Sequence, residues 1–298
     1  MRSVYLGTSA FAGVVLDGLM GAGEAPVLVI TRPDAPRGRG RRLAAPPVAD
    51  CARRHGIELV QPADINADAA RATIAAVAPE VVVVCAFGAL IREPLLSEHE
   101  ILNVHPSLLP RWRGAAPIER ALMAGDESTG VSIMRLTAGL DSGPVGPRAT
   151  ETIRATDTYG SLGSRLAPLG ARLLIDALRR SGAYAAQDEA GITYAEKITA
   201  ADRRLDPTRP ALCLERVVRA LHPHIGARLE LSDASLLGVQ AARAHPDDPL
   251  APAPGELRRS GGRLVLGANP GSLELLEVKA PGARAMAAGD YLRGRSQH

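Results

Sequence analysis

Aromatic side chains are scarce in this 298-residue chain: two Phe, five Tyr and one Trp make up 3% of it, against 46% apolar residues in all. Any core must therefore be built from Ala, Val, Leu and Ile. Cysteine is rare too. Cys51, Cys85 and Cys213 are odd in number, widely spaced and flanked by apolar residues, which fits buried free thiols and not a disulfide framework or a metal cluster. No apolar run approaches the roughly 20 residues needed to span a bilayer. A strand begins almost at once, leaving no room for a signal or transit peptide, so a cytoplasmic protein without a membrane attachment is expected. Net charge is also slight, at +3, and no global field marks a nucleic-acid binder.

What is present is better organised. The length suits two domains, each able to bury its own core. Ser3 to Leu6 and Val27 to Thr31 are short β-branched runs with a helical pattern from Ala10 to Met20 between them, a β-α-β unit. The turn from Gly7 to Phe11 lacks the G-x-G-x-x-G spacing, so no dinucleotide site is expected. Next comes RPDAPRGRGRRLAAPP. Five arginines and one acid between Arg32 and Arg42 give that segment a charge of +4, more than the whole chain carries. Its Pro and Gly rule out helix or central strand and predict a mobile loop, either plainly solvated or a flap whose guanidinium forks clamp phosphates.

A helix opening at Pro46 or Pro47 runs to His55 and closes at Gly56. Ile57 to Val60 makes a strand and Asn66 to Val77 a helix. Val81 to Cys85 is an uninterrupted run, as expected of a parallel strand covered on both faces. In the loop from Ala86 to Ile91, Phe87 and Leu90 suit core packing as well as ligand lining. The stretch ILNVHPSLLPRWRGAAPI, Ile101 to Ile118, stands apart. Asn103 and His105 are two apart in an extended run, so they share a face. Pro106 and Pro110 stiffen the turn that follows, Gly114 lets the backbone fold back, and Pro117 opens a helix. Two polar side chains thus sit at a strand's carboxyl end, where open α/β sheets keep their chemistry.

Val131 to Leu136 forms a strand leading into Gly139-Leu140-Asp141-Ser142-Gly143, whose glycines permit a tight approach to the His105 strand. A long helix over Asp157 to Arg180 should kink at Pro168. After Asp206-Pro207 come one helix, Leu212 to Leu221, and about five short strands, suggesting a small barrel of the oligonucleotide-binding (OB) kind. His222 and His224 have no nearby Cys or carboxylate to complete a metal site, and no metal is expected.

Asn103, His105, SLLP at Ser107 to Pro110, RGAAPI at Arg113 to Ile118 and Asp141 with Ser142-Gly143 occur in an order that resembles the folate-dependent formyltransferases. The likeness runs from Val4 to about Tyr291. It implies a Rossmann-like, mostly parallel α/β catalytic domain over 1–185 with a basic loop at 32–47, a linker over 186–206, and an OB-like tRNA-binding domain over 207–298. Two departures stand out: Pro144 replaces a commonly acidic residue, and an aromatic is usual near His224.

The resemblance implies transfer of a formyl group from 10-formyltetrahydrofolate to the α-amino group of methionine on initiator tRNA, by a monomer in no need of metal. Asn103, His105 and Asp141 would be catalytic. Asn103 offers amide donors to the oxyanion, His105 relays protons, and Asp141 holds the ring or positions a water. No Ser, Cys or Lys is placed to act as nucleophile, so direct transfer through a tetrahedral intermediate is expected. Folate would lie along Phe87, Gly88, Leu90, Ile91, Ser107, Leu108, Leu109 and Pro110. Arg37, Arg39, Arg41 and Arg42 would contact tRNA, in salt-sensitive fashion. A sugar N-formyltransferase or a formyltetrahydrofolate hydrolase would share the Asn-His-Asp site, and a non-catalytic RNA-binding protein on the same scaffold is the rival from another class.

Overall fold

A computed structural model describes residues 1–37, 40, 42–180 and 182–295. In chain order the elements begin β1 (Ser3–Gly7), α1 (Ala10–Gly21), β2 (Leu28–Ile30), β3 (Ala35–Arg37), β4 (Arg42–Ala44), α2 (Pro47–His55), β5 (Leu59–Val60) and α3 (Asp68–Ala76). They continue as β6 (Val81–Cys85), α4 (Leu95–Glu98), β7 (Ile101–His105), β8 (Arg113–Gly114), α5 (Pro117–Ala124), β9 (Ser128–Arg135), β10 (Val145–Thr152), α6 (Tyr159–Arg179) and β11 (Tyr194–Ala195). The remainder are α7 (Ala211–Leu221), β12 (Ala227–Glu230), β13 (Leu236–His245), β14 (Leu257–Ser260), β15 (Arg263–Gly267), β16 (Ser272–Lys279), β17 (Met286–Ala287) and α8 (Ala288–Arg295). By packing, these form two units. The first holds Met1–Gly114, Ser128–Thr152 and Gly163–Ala195; the second holds Ala115–Glu127, Ile153–Leu162 and Glu196–His298.

The first unit is built on a seven-stranded sheet in the order β10-β9-β7-β6-β1-β2-β5. β5, β2, β1, β6 and β7 run parallel; at one edge β9 pairs antiparallel with β7, and β10 antiparallel with β9. The chain steps outward from β1 to β2 and β5, then returns to the other side of β1 with β6. Such a reversal opens a crevice at the strands' carboxyl ends. There the Thr8 hydroxyl donates to the Phe87 carbonyl at 2.7 Å, tying the loop after β1 to the loop after β6. All five residues of β6 are buried, as its VVVVC sequence requires of a strand covered on both faces. Val4, Leu6, Leu28, Ile30, Val82, Val84 and Ile101 pack with Ile74 of α3 on one side. On α6, a Cβ added at Gly170 would lie 2.9 Å from Val104 and 3.5 Å from Val131, so this helix rests directly on β7 and β9.

Helix ends follow their sequence signals. The Ser9 side chain accepts from the Ala12 N–H at 3.2 Å and caps α1. Pro47 opens α2, and Gly56 ends it in the left-handed conformation at φ 65°. Pro168 lies inside α6, which starts at Tyr159, two residues after the expected Asp157. Asp157 sits in the preceding turn and accepts from the Ser161 hydroxyl at 2.7 Å.

The arginine-rich stretch departs from the expected loop. β3 and β4 pair antiparallel as a separate two-stranded ribbon, Ala35 opposite Ala44 and Arg37 opposite Arg42. A ribbon of two strands has free edges, so it tolerates Pro36 where a central strand would not. Three further elements had no clear sequence signal: β10, the helix α8, and the short parallel pairing of β8 with β11.

In the second unit β12-β13-β16-β15-β14 form an antiparallel sheet, with β17 paired to β16. The helix α7 packs against this sheet through Leu214, Val217, Val218 and Leu221, joined by Leu237, Val239, Leu264, Leu266, Leu273 and Val278. Leu and Val dominate, as the shortage of aromatics demands. The helix α5, opened by Pro117 and closed by Gly125 at φ 78°, packs beside α7. Its Glu119 carboxylate lies 2.9 Å from His224 Nε2, and the His224 ring stacks on Tyr159 with centroids 3.6 Å apart. His224 therefore does the flat packing that an aromatic would do there. No described helix is long and apolar enough to cross a membrane.

Candidate active site

β7 delivers Asn103 and His105 to one face because side chains alternate along a strand. On one side β7 pairs with β6, Asn103 opposite Val84; on the other with antiparallel β9, Asn103 opposite Met134 and His105 opposite Ser132. Asp141 lies beyond the end of β9. It adopts φ 43°, in the left-handed region where a residue with a Cβ is strained. Gly143 makes the loop possible, since a Cβ there would meet the Arg135 carbonyl oxygen at 1.9 Å.

The loop turns the Asp141 carboxylate toward β7. One oxygen, Oδ1, lies 3.5 Å from the Asn103 amide nitrogen. The other, Oδ2, lies 3.7 Å from His105 Nδ1 and accepts the Gly114 N–H at 2.8 Å. His105 Nε2 lies 2.8 Å from the Trp112 carbonyl oxygen. A carbonyl only accepts, so Nε2 carries the hydrogen, and Nδ1 is the basic atom facing the carboxylate. A second proton, on Nδ1, would turn that contact into an ion pair. All three side chains are largely covered: Asn103 is 9% exposed and His105 4%.

The segment that supplies Trp112 O and Gly114 N–H is itself pinned. Trp112 N–H donates to the Thr193 hydroxyl at 2.9 Å, and Arg113 N–H to the Thr193 carbonyl at 2.9 Å. Trp112 takes φ 65° and Gly114 φ 119°. At Gly114 a side chain would collide with the Ala195 carbonyl oxygen, 2.7 Å from its Cβ. The turn before it is stiff for reasons beyond its prolines. The buried Ser132 hydroxyl donates to the Ser107 carbonyl at 2.7 Å and accepts from Leu109 N–H at 3.2 Å, while the Ser107 hydroxyl donates to the Arg111 carbonyl at 2.6 Å.

The eight residues expected along folate fall into two groups. Gly88 and Leu90 are exposed, Leu90 by 63%, and Leu108 and Pro110 are half-buried. Phe87, Ile91, Ser107 and Leu109 are buried, and their side chains shape the loops from within. Of the four arginines expected to meet tRNA, Arg39 and Arg41 lie outside the described residues. Arg37 closes β3, and exposed Arg42 opens β4 across from it.

Trp112 O, Gly114 N–H and Ser132 escaped sequence reasoning as site components. Backbone groups carry no residue signature, and Ser132 only declares itself once β9 is registered against β7. Elsewhere Asp17, Cys51 and His55 gather with ligand atoms within 4.8 Å of one another. The Arg54 guanidinium already holds the Asp17 carboxylate at 3.1 Å. Burial, then hydrogen bonding to Asp17, pushes the Cys51 thiol up to about 12, so it stays protonated. Cys85 is buried and Cys213 half-buried, both free thiols.

The formyl transferase profile matches residues 1–178, and that of the formyl transferase C-terminal domain matches residues 197–296. A methionyl-tRNA formyltransferase of Halorhodospira halophila is 46% identical over 99% of this chain and 96% of its own length. One of Streptomyces coelicolor is 43% identical over 99% and 96% respectively. Among solved structures, HypX of Aquifex aeolicus in complex with tetrahydrofolic acid superposes with a TM-score of 0.67 at 17% identity, covering 98% of this chain and 47% of that one. Matched almost end to end by such relatives and carrying both domains, the chain belongs to the methionyl-tRNA formyltransferases of the formyl transferase family.

Proposed function

We propose that this chain transfers the formyl group of 10-formyltetrahydrofolate to the α-amino group of methionyl initiator tRNA, and so supports translation initiation in the cytoplasm. The carrying observation is the convergence of one amide, one imidazole and one carboxylate at the carboxyl end of β7, where the loop after β9 brings Asp141. The attacking amine forms the new C–N bond to the formyl carbon, and the carbonyl oxygen becomes an oxyanion. The Asn103 amide is the donor for that oxyanion. His105 Nδ1 takes the proton from the attacking nitrogen while Nε2–H stays on the Trp112 carbonyl, and the Asp141 carboxylate faces the cation so formed. The same proton then goes to the departing folate nitrogen as its bond to the formyl carbon breaks, leaving tetrahydrofolate. No covalent formyl-enzyme is needed.

Exposed Leu90 and the half-buried Leu108 and Pro110 are the apolar surfaces offered to folate. Basic residues of the β3–β4 segment, Arg37, Arg39, Arg41 and Arg42 by sequence, are assigned to tRNA phosphates, together with the second unit as a tRNA-binding domain. Their contribution should weaken steeply with salt.

The test is formylation of charged initiator tRNA, run beside charged elongator tRNA. Formylmethionine should appear on the initiator only. His105→Ala should lower single-turnover transfer by about 10³-fold or more, within the reach of a lost acid–base group, while filter binding of tRNA is retained. Product formation by His105→Ala at the wild-type rate would remove His105 from the chemistry. A wild-type protein that formylates an amino sugar nucleotide and no tRNA would replace this reading with that of a sugar enzyme.

A further inference from the structure

Asp141 is held by more than the Gly114 amide. Gln187 lies between α6 and β11, far from Asp141 in sequence. Its side-chain NH2 donates to the Asp141 carbonyl at 2.8 Å and to the Gly143 carbonyl at 2.8 Å. Its side-chain oxygen accepts from Arg113 Nε at 3.0 Å and from a terminal Arg113 nitrogen at 2.9 Å. Guanidinium has no acceptor, so the amide has one orientation: oxygen toward Arg113, NH2 toward the loop. All its hydrogen-bonding capacity on both ends is used.

The two ends of this clamp grip the two sides of one interaction. Arg113 immediately precedes Gly114, whose N–H binds the Asp141 carboxylate at 2.8 Å. The two carbonyls belong to Asp141 itself, which sets the loop's left-handed turn, and to Gly143, which makes the close approach to the Arg135 carbonyl possible. Arg113 is 8% exposed, and Gln187 Oε1 is the acceptor for two of its nitrogens. We propose that Gln187 is a positioning residue: it locks the Asp141 loop to the Arg113–Gly114 strand and thereby fixes the carboxylate against His105 and Asn103. The role of Asp141 rests on the function proposed above; the clamp itself is a geometric claim that can be tested without that function.

Two substitutions separate the contributions. Gln187→Leu removes every polar contact at similar size. Gln187→Glu keeps the acceptor for Arg113 but turns an oxygen toward the Asp141 and Gly143 carbonyls. In Gln187→Leu, hydrogen exchange at the Gly114 amide should speed up relative to wild type, and unchanged exchange there would overturn the clamp. Both variants should lower kcat by about 10- to 100-fold, the cost of a small misplacement in a site of this kind, with KM for both substrates within about 3-fold of wild type. In an Asp141→Asn background, Gln187→Leu should add less than about 2-fold, because residues acting through one another are not additive. A full multiplicative loss there, or a Gln187→Glu enzyme at the wild-type rate, would overturn positioning through Asp141. Faster Gly114 exchange in Gln187→Leu, in a protein that transfers no formyl group even as wild type, would support the clamp and sink the assigned function instead.

Discussion

Asn103 is the residue whose replacement bears most directly on the chemistry. It is 9% exposed, and its amide nitrogen has the Asp141 carboxylate 3.5 Å away, a long contact that leaves donor capacity for a developing oxyanion. Asn103→Ala should lower kcat by roughly 10²- to 10³-fold, the usual cost of one oxyanion donor, and leave tRNA retention on filters unchanged. A loss confined to KM would assign Asn103 to ground-state binding. Sequence pattern was sufficient to pair Asn103 with His105, because residues two apart in a strand share a face whatever the rest of the chain does. Asp141 could be joined to them only through the resemblance, since nothing in its local pattern reveals how closely β9 runs beside β7. The Trp112 carbonyl, the Gly114 amide and Gln187 were hidden for a simpler reason. A backbone group looks alike at every position, and a glutamine before a turn has no distinguishing spacing.

At the scale of elements, the turn between β7 and β8 owes its stiffness to Ser132 on a neighbouring strand. That hydroxyl is fully buried, donates to the Ser107 carbonyl and accepts from Leu109 N–H. Ser132→Ala leaves both backbone groups without this partner and should destabilise the protein by about 1–3 kcal/mol, measured by urea unfolding. Ser132→Thr, which keeps a hydroxyl, is the matched control; equal stability of wild type and the alanine variant would show that the bonds contribute nothing net. The parallel strands of the first unit were legible because β-branched runs such as VVVVC have one comfortable environment. Pro47, Gly56, Pro117 and Gly125 likewise marked helix ends by backbone geometry alone. The β3–β4 ribbon was not legible: Pro and Gly argue against a central strand, yet they do not forbid a two-stranded one. The β8–β11 pairing is two residues long and joins segments far apart in sequence, so no local pattern could predict it.

For the whole molecule, the pH response includes an ion pair in the second unit. Asp202 accepts from an Arg120 terminal nitrogen at 2.8 Å, and from the Thr199 N–H and hydroxyl at 2.8 and 2.7 Å. The Arg120 hydrogen bond, helped by those from Thr199, holds this carboxyl down at about 2. Unfolded, an aspartate titrates near roughly 3.9. A depressed folded value means that the unfolded chain takes up the proton first, so the stabilisation is present above about pH 4 and is lost as pH falls toward about 2. Asp202→Asn should therefore lower Tm at neutral pH, and the gap from wild type should narrow as pH falls through that window. A gap that stays constant down to the acid end would show that the asparagine disrupts packing, not an ionic bond.

The helix α5 follows the site loop directly in sequence, yet it belongs with the second unit, beside α7, and its Met123 packs against that unit's core. Dissection by a single cut is therefore ruled out. A fragment ending at Ala195 keeps every residue of the Asn103, His105, Asp141 and Gln187 network, but it carries α5 without α7 and would uncover the apolar flank around Met123. Grafting the catalytic half onto another carrier would thus require α5 to be re-covered or its apolar face rewritten, a demand that the order of the residues along the chain gives no hint of.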